Sequence, residues 1–207
     1  ITIFYLLGGD KQHASQIMGW IGTAWGVTAV VAVFPLNWTS KAIGKTRTLM
    51  IAVGLMIVAQ FSKIVCYNPA APWLLLIPTV MLSAGMLMFF TLGSAMIADV
   101  CDEDELRTGR RSEGSYYAVF WWFMKMGMAG AFFIAGLLIR ASGFQEKVDV
   151  QTDRTMLLMR VIEIGVPSAL GLVSFWLIFR YPLSEKRAYE VKNELERRRA
   201  GGDQPPP

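Results

Sequence analysis

A lysine near the middle of a long apolar stretch is the residue of this sequence with the clearest chemical potential. Lys125 is the one charged residue of Gly114–Ile139, about 18 Å along a helix that rises 1.5 Å per residue. A lysine at the centre of a bilayer costs about 2.5–3.5 kcal/mol on insertion scales, so its side chain is expected to face water or a buried carboxylate. We therefore predict a functional role for Lys125, with its ammonium facing a wet cavity or a buried carboxylate. A lysine tolerated by local thinning of the bilayer is the alternative.

Two tryptophans accompany this lysine on one side of the predicted helix. Trp121 and Trp122 precede Lys125 by four and three residues, the spacing of neighbours on a helix surface. They lie too deep for the aromatic belt that marks a membrane interface. Aromatic rings beside a polar anchor suit a sugar, whose C–H faces stack while its hydroxyls form hydrogen bonds. Simple packing of both rings against helices or lipid is the alternative.

A dense run of charge forms a second candidate site. Five acidic residues fall within residues 99–105, at the end of an apolar stretch, and basic residues that include Arg111 follow. In a continuing helix, Asp99, Asp102 and Glu105 would form one acidic edge. Such a cluster can form ion pairs with the basic segment Lys41–Arg47 and hold the cytoplasmic side closed. An ordinary solvated loop is the alternative.

The residue inventory argues against several other functions. His13 and the widely separated Cys66 and Cys101 do not form a metal-ligand set, and no base stands ready to activate a nucleophile. We predict no catalytic residue, no metal site and no bound cofactor, so an enzyme is the least favoured class. The basic residues are spread over separate loops without exposed aromatic neighbours, which is not typical of a nucleic-acid-binding surface.

The elements that position these residues are predicted to be membrane-spanning helices. Of 207 residues, 54% are hydrophobic and only 17% are charged, against about 25% charged in soluble domains. A helix needs about 20 mostly apolar residues to cross the hydrocarbon core. Since the apolar runs do not alternate and lack polar faces, they favour an all-α polytopic bundle over barrel strands or a soluble helical core. The predicted spans are Ile1–Leu7 (the end of a span), Gln16–Trp38, Thr48–Tyr67, Trp73–Ile97, Gly114–Ile139 and Met156–Phe179.

The basic residues of the loops predict the orientation of the bundle. Thirteen lysines and arginines fall in the segments 40–47 and 99–113 and in the tail, against three in the opposite loops. Because cytoplasmic loops carry the excess of Lys and Arg, the richer side and the C-terminus are predicted to be cytoplasmic. The net charge of +4 follows from this topology. We read Lys63, Arg160 and Glu163 as structural, with Arg160 and Glu163 pairing along one helix.

The domain division follows from the same pattern. Residues 1–183 are predicted to form the transmembrane bundle, and residues 184–207 a cytoplasmic amphipathic helix followed by a disordered tail. Ser184 is a candidate cap for that helix, and Gly201–Pro207 is rich in glycine and proline. Attraction of the helix to anionic lipid is favoured over a partner-binding role. The chain opens on Ile1 within an apolar run, so we expect a longer protein.

Three stretches resemble one family of transporters. The sequence A-D-V-C-D-E-D-E-L-R-T-G-R-R-S-E-G (Ala98–Gly114), followed by a span with a central Lys125, resembles the glycoside–pentoside–hexuronide:cation symporter family of the major facilitator superfamily. F-Y-L-L-G-G-D (Phe4–Asp10) and S-K-A-I-G-K-T-R (Ser40–Arg47) are similar to the end of that family's seventh helix and to its loop between helices eight and nine. The resemblance implies that the chain is the C-terminal six-helix half of a twelve-helix transporter.

The resemblance also implies roles for residues. Lys125 would lie near the cation- and sugar-binding region, facing acidic residues of an N-terminal half that acts as its partner. Phe90 stands where a melibiose-transporting member has a sugar-contacting tryptophan. The family's cytoplasmic gate would include four positions of this chain: Asp99, Asp102, Glu105 and Arg111.

The function implied is symport of a sugar, glycoside or sugar acid with Na⁺ or H⁺ by alternating access. The implied location is the bacterial inner membrane, a plasma membrane, with the lipid bilayer as the surrounding medium. Two alternatives stay open: a transporter of lysolipids or other amphiphiles with the same fold, and a membrane interaction module that transports nothing and docks partners through its tail.

Overall fold

The computed structural model describes residues 1, 5–145, 148, 151–181 and 185–200, with the side chains of 185, 186, 199 and 200 excepted. The described residues form helices and connecting turns and contain no strand, which confirms the predicted all-α class. The α-helices are α1 (Lys11–Val31), α2 (Val33–Ile43), α3 (Lys45–Cys66), α4 (Leu76–Thr108), α5 (Glu113–Ala141), α6 (Asp153–Phe179) and α7 (Glu185–Ala200).

Five helical segments are long and apolar enough to cross a membrane, as the sequence predicted. The first of them, Lys11–Ile43, contains α1 and α2, which meet at Ala32. Ala32 keeps a helical conformation, with φ −65° and ψ −13°. Pro35 has no backbone N–H and therefore cannot bond the carbonyl of Val31, which accounts for the interruption at this point. The predicted span Gln16–Trp38 is thus part of a longer, jointed segment.

Helix α4 extends well beyond its predicted end at Ile97. It continues to Thr108, so most of the predicted cytoplasmic loop Asp99–Glu113 is helical and the loop prediction was wrong there. No helix-breaking residue occurs until Gly109, which adopts φ 71° and whose N–H bonds the carbonyl of Glu105 at 2.9 Å. A glycine in the left-handed conformation is the usual residue that ends a helix. The acidic run is therefore a rigid extension of a membrane-spanning helix.

Helix α3 lies at the centre of the packing, against α4 on one side and α6 on another. Gly85 of α4 lets the first contact form, since a Cβ at this position would lie 3.0 Å from the carbonyl oxygen of Ala52 and closer still to Met56. A hydrophobic cluster continues this contact toward the N-terminal end of α3. It consists of Leu36, Leu49, Ala52, Met88, Leu92 and Met96.

A second hydrophobic cluster lies at the opposite end of the bundle. There the segment before α1 contributes Leu6, which packs with Tyr67, Leu75 and Ile164. The predicted span end Ile1–Leu7 is only partly described, because residues 2–4 lie outside the described residues. The described part of this segment joins elements that are far apart in the sequence.

Helix α4 also carries α1 and α5 on its flanks. The hydroxyl of Ser83 donates to the carbonyl of Trp25 in α1 at 2.7 Å, and the hydroxyl of Tyr117 in α5 donates to the carbonyl of Ser94 at 2.9 Å. Helix α5 contacts α4 and α6 but has no buried residue. It is therefore the least covered of the membrane-spanning helices.

The C-terminal helix α7 packs against α4. Val191 and Leu195 are 1% and 5% exposed, and Arg187 forms an ion pair with Glu103 of α4 at 2.9 Å. The apolar side of α7 is thus covered by the chain itself. Neither the predicted cap Ser184 nor the predicted disordered segment 201–207 belongs to the described residues.

The close approach at Gly85 generates a stability prediction. Gly85→Val should lower the free energy of unfolding by about 1–3 kcal/mol, because the added atoms collide with the backbone of α3. Gly93→Val is the matched control, since Gly93 lies on the same helix and has no neighbouring atom within 4 Å of the position that an added Cβ would take. Thermal unfolding of the purified protein in detergent measures both. Equal melting temperatures would contradict the packing described for α3 and α4.

Candidate functional site

Lys125 lies on α5 with an exposed side chain. It is about 18 Å from the first residue of this 29-residue helix, close to its middle. Within the part of the chain that the structure describes, Lys125 forms no ion pair and no side-chain hydrogen bond. A central lysine on an uncovered helix is open to a ligand or to another protein segment.

Trp121 and Trp122 lie one turn before this lysine and are 46% and 58% exposed. Each ring packs edge-to-face against its neighbour in the chain: Trp121 against Phe120 at 5.5 Å, and Trp122 against Phe123 at 5.0 Å between centroids. The structure thus places the two tryptophans and Lys125 on one exposed stretch of α5, as their spacing predicts. Their role in binding stays a prediction.

Phe90 lines a cleft of about 280 Å³ between α3, α4 and α6, together with Gln60 and Ser174, and contacts the ring of Phe89 edge-to-face at 5.8 Å. The lining of this cleft includes no residue of α5. The predicted role of Phe90 in binding sugar stays a prediction.

The predicted contact between the acidic run and the basic segment is present. The ammonium of Lys45 lies 2.6 and 2.7 Å from the two carboxylate oxygens of Asp99, with side-chain exposures of 31% and 18%. Lys45 is the first residue of α3, a helix end whose partial positive charge disfavours a cation. Asp99 offsets that charge and joins the start of α3 to the C-terminal part of α4.

The remaining predicted gate residues gather around the end of α4. Arg111 forms an ion pair with Glu113 at 2.9 Å. This hydrogen bond raises the pKa of Arg111, and the nearby charges of Glu105 and Asp102 raise it further. The carboxylates of Glu105 and Asp102 are thus close enough to Arg111 to stabilise its charged form. The gate role of these residues stays a prediction.

A further charged cluster lies toward the end of the bundle opposite the Lys45–Asp99 pair. The carboxylate of Glu163 in α6 accepts from Lys63 of α3 at 2.7 Å and from the hydroxyl of Tyr67 at 2.6 Å. Arg160 instead donates to the hydroxyl of Tyr5 at 2.6 Å, with its guanidinium 4.4 Å from that ring's centroid. The prediction that Arg160 pairs with Glu163 along one helix was therefore wrong.

This cluster joins three separate elements: the segment before α1, the end of α3 and helix α6. Helical spacing finds partners on one helix, and Arg160 and Glu163 are three residues apart. Lys63 in the last turn of α3 and Tyr67, which follows that helix, are four residues apart, and this spacing indicates a second polar edge facing α6. Pairing across helices depends on their packing, which spacing alone does not give.

Two further clefts lie on the described surface, one apolar and one more polar. A cleft of about 460 Å³ lies between α5 and α6, where Ala135, Leu138 and Val166 form part of an apolar wall and Glu163 is its charged member. On α1, a more open cleft of about 560 Å³ is lined by Gln16, Gly19, Trp20 and Thr23. Among the described residues, no group of three or more His, Cys, Asp or Glu side chains has the arrangement of a metal site.

Comparison with known proteins gives a consistent result. Residues 5–185 match the family described as MFS/sugar transport protein. The chain is 27% identical, over 96% of its length, to an uncharacterized symporter of Synechocystis sp. (strain ATCC 27184 / PCC 6803 / Kazusa), covering 37% of that protein. It is 31% identical, over 56% of its length, to the glucuronide carrier protein homolog of Escherichia coli (strain K12), covering 25% of it.

A relative with a different named cargo is also similar. The sphingosine-1-phosphate transporter MFSD2B of Mus musculus is 24% identical over 84% of the chain, and the match covers 35% of that protein. The chain thus spans between a quarter and two fifths of the length of these three relatives. Since the matched family covers most of the chain, which carries five helices able to cross a membrane, the chain belongs to the MFS/sugar transport protein family of multi-pass membrane transporters.

Proposed function

We propose that this chain supplies the C-terminal half of a secondary active transporter that moves a sugar, glycoside or sugar acid. The observation that carries the proposal is Lys125, exposed at the middle of α5 beside two exposed tryptophans in a member of a sugar-transport family. An ammonium recognises a carboxylate or a hydroxyl, and an indole stacks on the C–H face of a sugar ring. The name of the glucuronide carrier homolog supports a sugar acid among the candidates.

Transport would follow alternating access, with two helical halves rocking about a site near the bilayer midplane. In this proposal the N-terminal half covers α5 and supplies the acidic residues that face Lys125. Coupling to Na⁺ or H⁺ belongs to the same proposal, because a secondary transporter draws its energy from an ion gradient. We place the protein in the bacterial inner membrane with the C-terminus in the cytoplasm, on the basis of the basic loops and tail.

The role of Lys125 can be tested in the full-length transporter. Lys125→Ala should lower kcat/KM for uptake of a glucuronide by about ten- to hundredfold, the effect of losing a hydrogen bond to a charged group worth about 1.5–3 kcal/mol. Lys125→Arg should keep part of the activity because it keeps the charge. Lys11→Ala, at the exposed start of α1, is the control. Unchanged uptake and unchanged ion dependence in Lys125→Ala would refute the assigned role.

We further propose that the Lys45–Asp99 ion pair, with Asp102, Glu105 and Arg111, forms part of a cytoplasmic gate. The pair joins the ends of α3 and α4, and the other three residues lie where α4 turns toward α5. The Arg111–Glu113 pair is exposed, and exposed ion pairs contribute only about 0–1 kcal/mol each. The Lys45–Asp99 pair is only partly buried, so water can compensate both charges when the pair separates. Contacts of this kind suit a gate whose open and closed states must both be populated.

Loss of the gate charges should open the cytoplasmic side. Asp99→Asn combined with Asp102→Asn is expected to speed labelling of a cysteine placed at Met128 by a hydrophilic thiol reagent added from the cytoplasmic face. Met128 is exposed on α5 one turn from Lys125. Asp153→Asn, at the opposite end of the bundle, is the control. An unchanged labelling rate in the double variant would count against a gate.

A second cargo is favoured by one specific observation, the apolar cleft between α5 and α6. Its volume of about 460 Å³ lies within the range of small-molecule sites, and its wall is almost entirely apolar. Such a cleft suits an acyl chain, and the name of the mouse relative shows that an amphiphile is carried by a protein similar to this chain. The alternative of a tail-docking module has less support, because α7 already covers its apolar side against α4.

Ligand stabilisation distinguishes the two cargoes. Under the sugar proposal, a glucuronide should raise the melting temperature of the purified full-length protein and a lysolipid should not, since only a ligand that binds the folded state stabilises it. Under the amphiphile alternative the result is reversed. Ala135→Phe, which fills the α5–α6 cleft, should then abolish the lysolipid effect. Ala118→Phe, on the same helix outside that cleft, is its control.

A further inference from the structure

A buried tyrosine hydroxyl without a hydrogen-bond partner lies near the Lys45–Asp99 ion pair. Tyr181 follows the end of α6, and its N–H bonds the carbonyl of Ile178 at 3.0 Å, which continues the last turn of that helix. The hydroxyl oxygen of Tyr181 is buried and forms no hydrogen bond within the described residues. A buried donor without a bond destabilises the state in which it occurs, so such groups are rare in folded proteins and need an explanation.

The packing of Tyr181 places its ring close to the start of α3 and the charged part of α4. Tyr181 packs against the hydrophobic cluster that contains Leu49 and Met96. Lys45 precedes Leu49 by four residues on α3 and therefore lies one helical turn from the cluster. Asp99 follows Met96 by three residues on α4 and is likewise one turn away. The ion pair and the tyrosine thus border the same cluster.

The electrostatic environment of the hydroxyl agrees with this position. Burial raises the pKa of Tyr181, and the negative charge of Asp99 raises that pKa further. A carboxylate has this effect on a nearby phenol because it disfavours the negatively charged phenolate. Tyr181 therefore keeps its proton at neutral pH, and its hydroxyl can donate a hydrogen bond.

The ion pair keeps the nearby carboxylate occupied. The ammonium of Lys45 lies 2.6 and 2.7 Å from the two oxygens of Asp99, so both oxygens already have a donor. Lys45 is 31% exposed and Asp99 is 18% exposed. When the pair separates, the ammonium can turn to water, and the carboxylate oxygens become free to accept from another donor. The hydroxyl of Tyr181 is a buried donor that lacks an acceptor.

We propose that Tyr181 is the second partner of Asp99, and that its hydroxyl donates to this carboxylate when Lys45 leaves and the cytoplasmic side opens. The inference rests on the gate set out under the proposed function. In the closed arrangement Asp99 binds Lys45 and the tyrosine hydroxyl is unbonded, and in the open arrangement the tyrosine replaces the lysine. A bond lost in one state is offset by a bond gained in the other, which keeps the two states close in free energy. Tyr181 is thus a positioning residue, through which α6 takes part in the gate.

Thermal unfolding of the purified full-length transporter tests the closed arrangement. Tyr181→Phe removes a hydroxyl that has no partner, so it should keep or raise the melting temperature. Tyr117→Phe is the contrasting variant and should lower it, because the hydroxyl of Tyr117 donates to the carbonyl of Ser94 at 2.9 Å. A lowered melting temperature in Tyr181→Phe would show that its hydroxyl already has a partner, which would overturn the inference.

Cysteine labelling tests the open arrangement. In a full-length transporter whose native cysteines are replaced, a cysteine at Met128 reports access from the cytoplasmic face. Tyr181→Phe should slow its reaction with a hydrophilic thiol reagent about tenfold, since the open state loses a hydrogen bond to a charged group. Tyr189→Phe is the matched control, because Tyr189 is 68% exposed on α7. An unchanged labelling rate in Tyr181→Phe would overturn the inference.

A second background shows whether the tyrosine acts through Asp99. Asp99→Asn combined with Asp102→Asn removes the charge that the hydroxyl would bind. Adding Tyr181→Phe to this double variant should change the labelling rate less than twofold, because the substitutions remove the same interaction. A tenfold slowing in this background as well would overturn the inference, since the tyrosine would then act on a different group.

These results separate the inference from the proposals on which it rests. Faster labelling in the double variant with unchanged labelling in Tyr181→Phe would keep the gate and refute the inference alone. Unchanged labelling in both would refute the gate and the inference together. Slower labelling in Tyr181→Phe that depends on Asp99 would support the inference, even in a protein that takes up no glucuronide, where only the proposed cargo would be refuted.

Discussion

A polar group inside the hydrocarbon core must find a partner or water, and this requirement governs where the chain places its few charges. Backbone groups meet it within helices, which is why the described spans are helical throughout. The side chains of Lys63 and Glu163 meet it by pairing across α3 and α6. Because removing one partner from a desolvated pair leaves the other charge uncompensated, such pairs also fix which helices lie together. Lys125 has no such partner among the described residues, and that contrast separates a structural charge from a candidate functional one.

The same requirement explains how α4 organises its neighbours. Its hydroxyl of Ser83 bonds a backbone carbonyl of α1, and its own carbonyl at Ser94 accepts from Tyr117 of α5. Each contact satisfies a hydroxyl that would otherwise lack a hydrogen-bond partner, and each sets the position of a flanking helix. At the contact with α3, the small residue Gly85 lets the two backbones approach. The C-terminal part of α4 is charged, and the ion pair between Arg187 and Glu103 joins α7 to it.

Much of this arrangement could be predicted from the sequence, because it depends on local signals. The lengths of the apolar stretches predicted the five spans, and the spacing of Trp121, Trp122 and Lys125 predicted that these residues share one side of α5. The sequence was less informative about contacts that depend on packing between helices. The acidic run was predicted to be a loop because charged residues are usual in loops. No glycine or proline lies between Ile97 and Gly109, so α4 continues through the acidic run. Arg160 and Glu163 were matched by spacing, whereas packing gave each a different partner. Phe90 was assigned by resemblance, and the cleft that it lines with residues of α3 and α6 depends on helix packing, which spacing does not give.

The two cargo proposals make different demands on the same helices. A sugar acid has a charge at one end and hydroxyls around its ring, so its charged end would use Lys125 on α5. An amphiphile would place its chain in the cleft between α5 and α6, whose wall is almost entirely apolar. A charged group on the uncovered side of a membrane helix is costly unless something uses it. Lys125 therefore favours a solute, or a facing protein segment, that carries a negative charge.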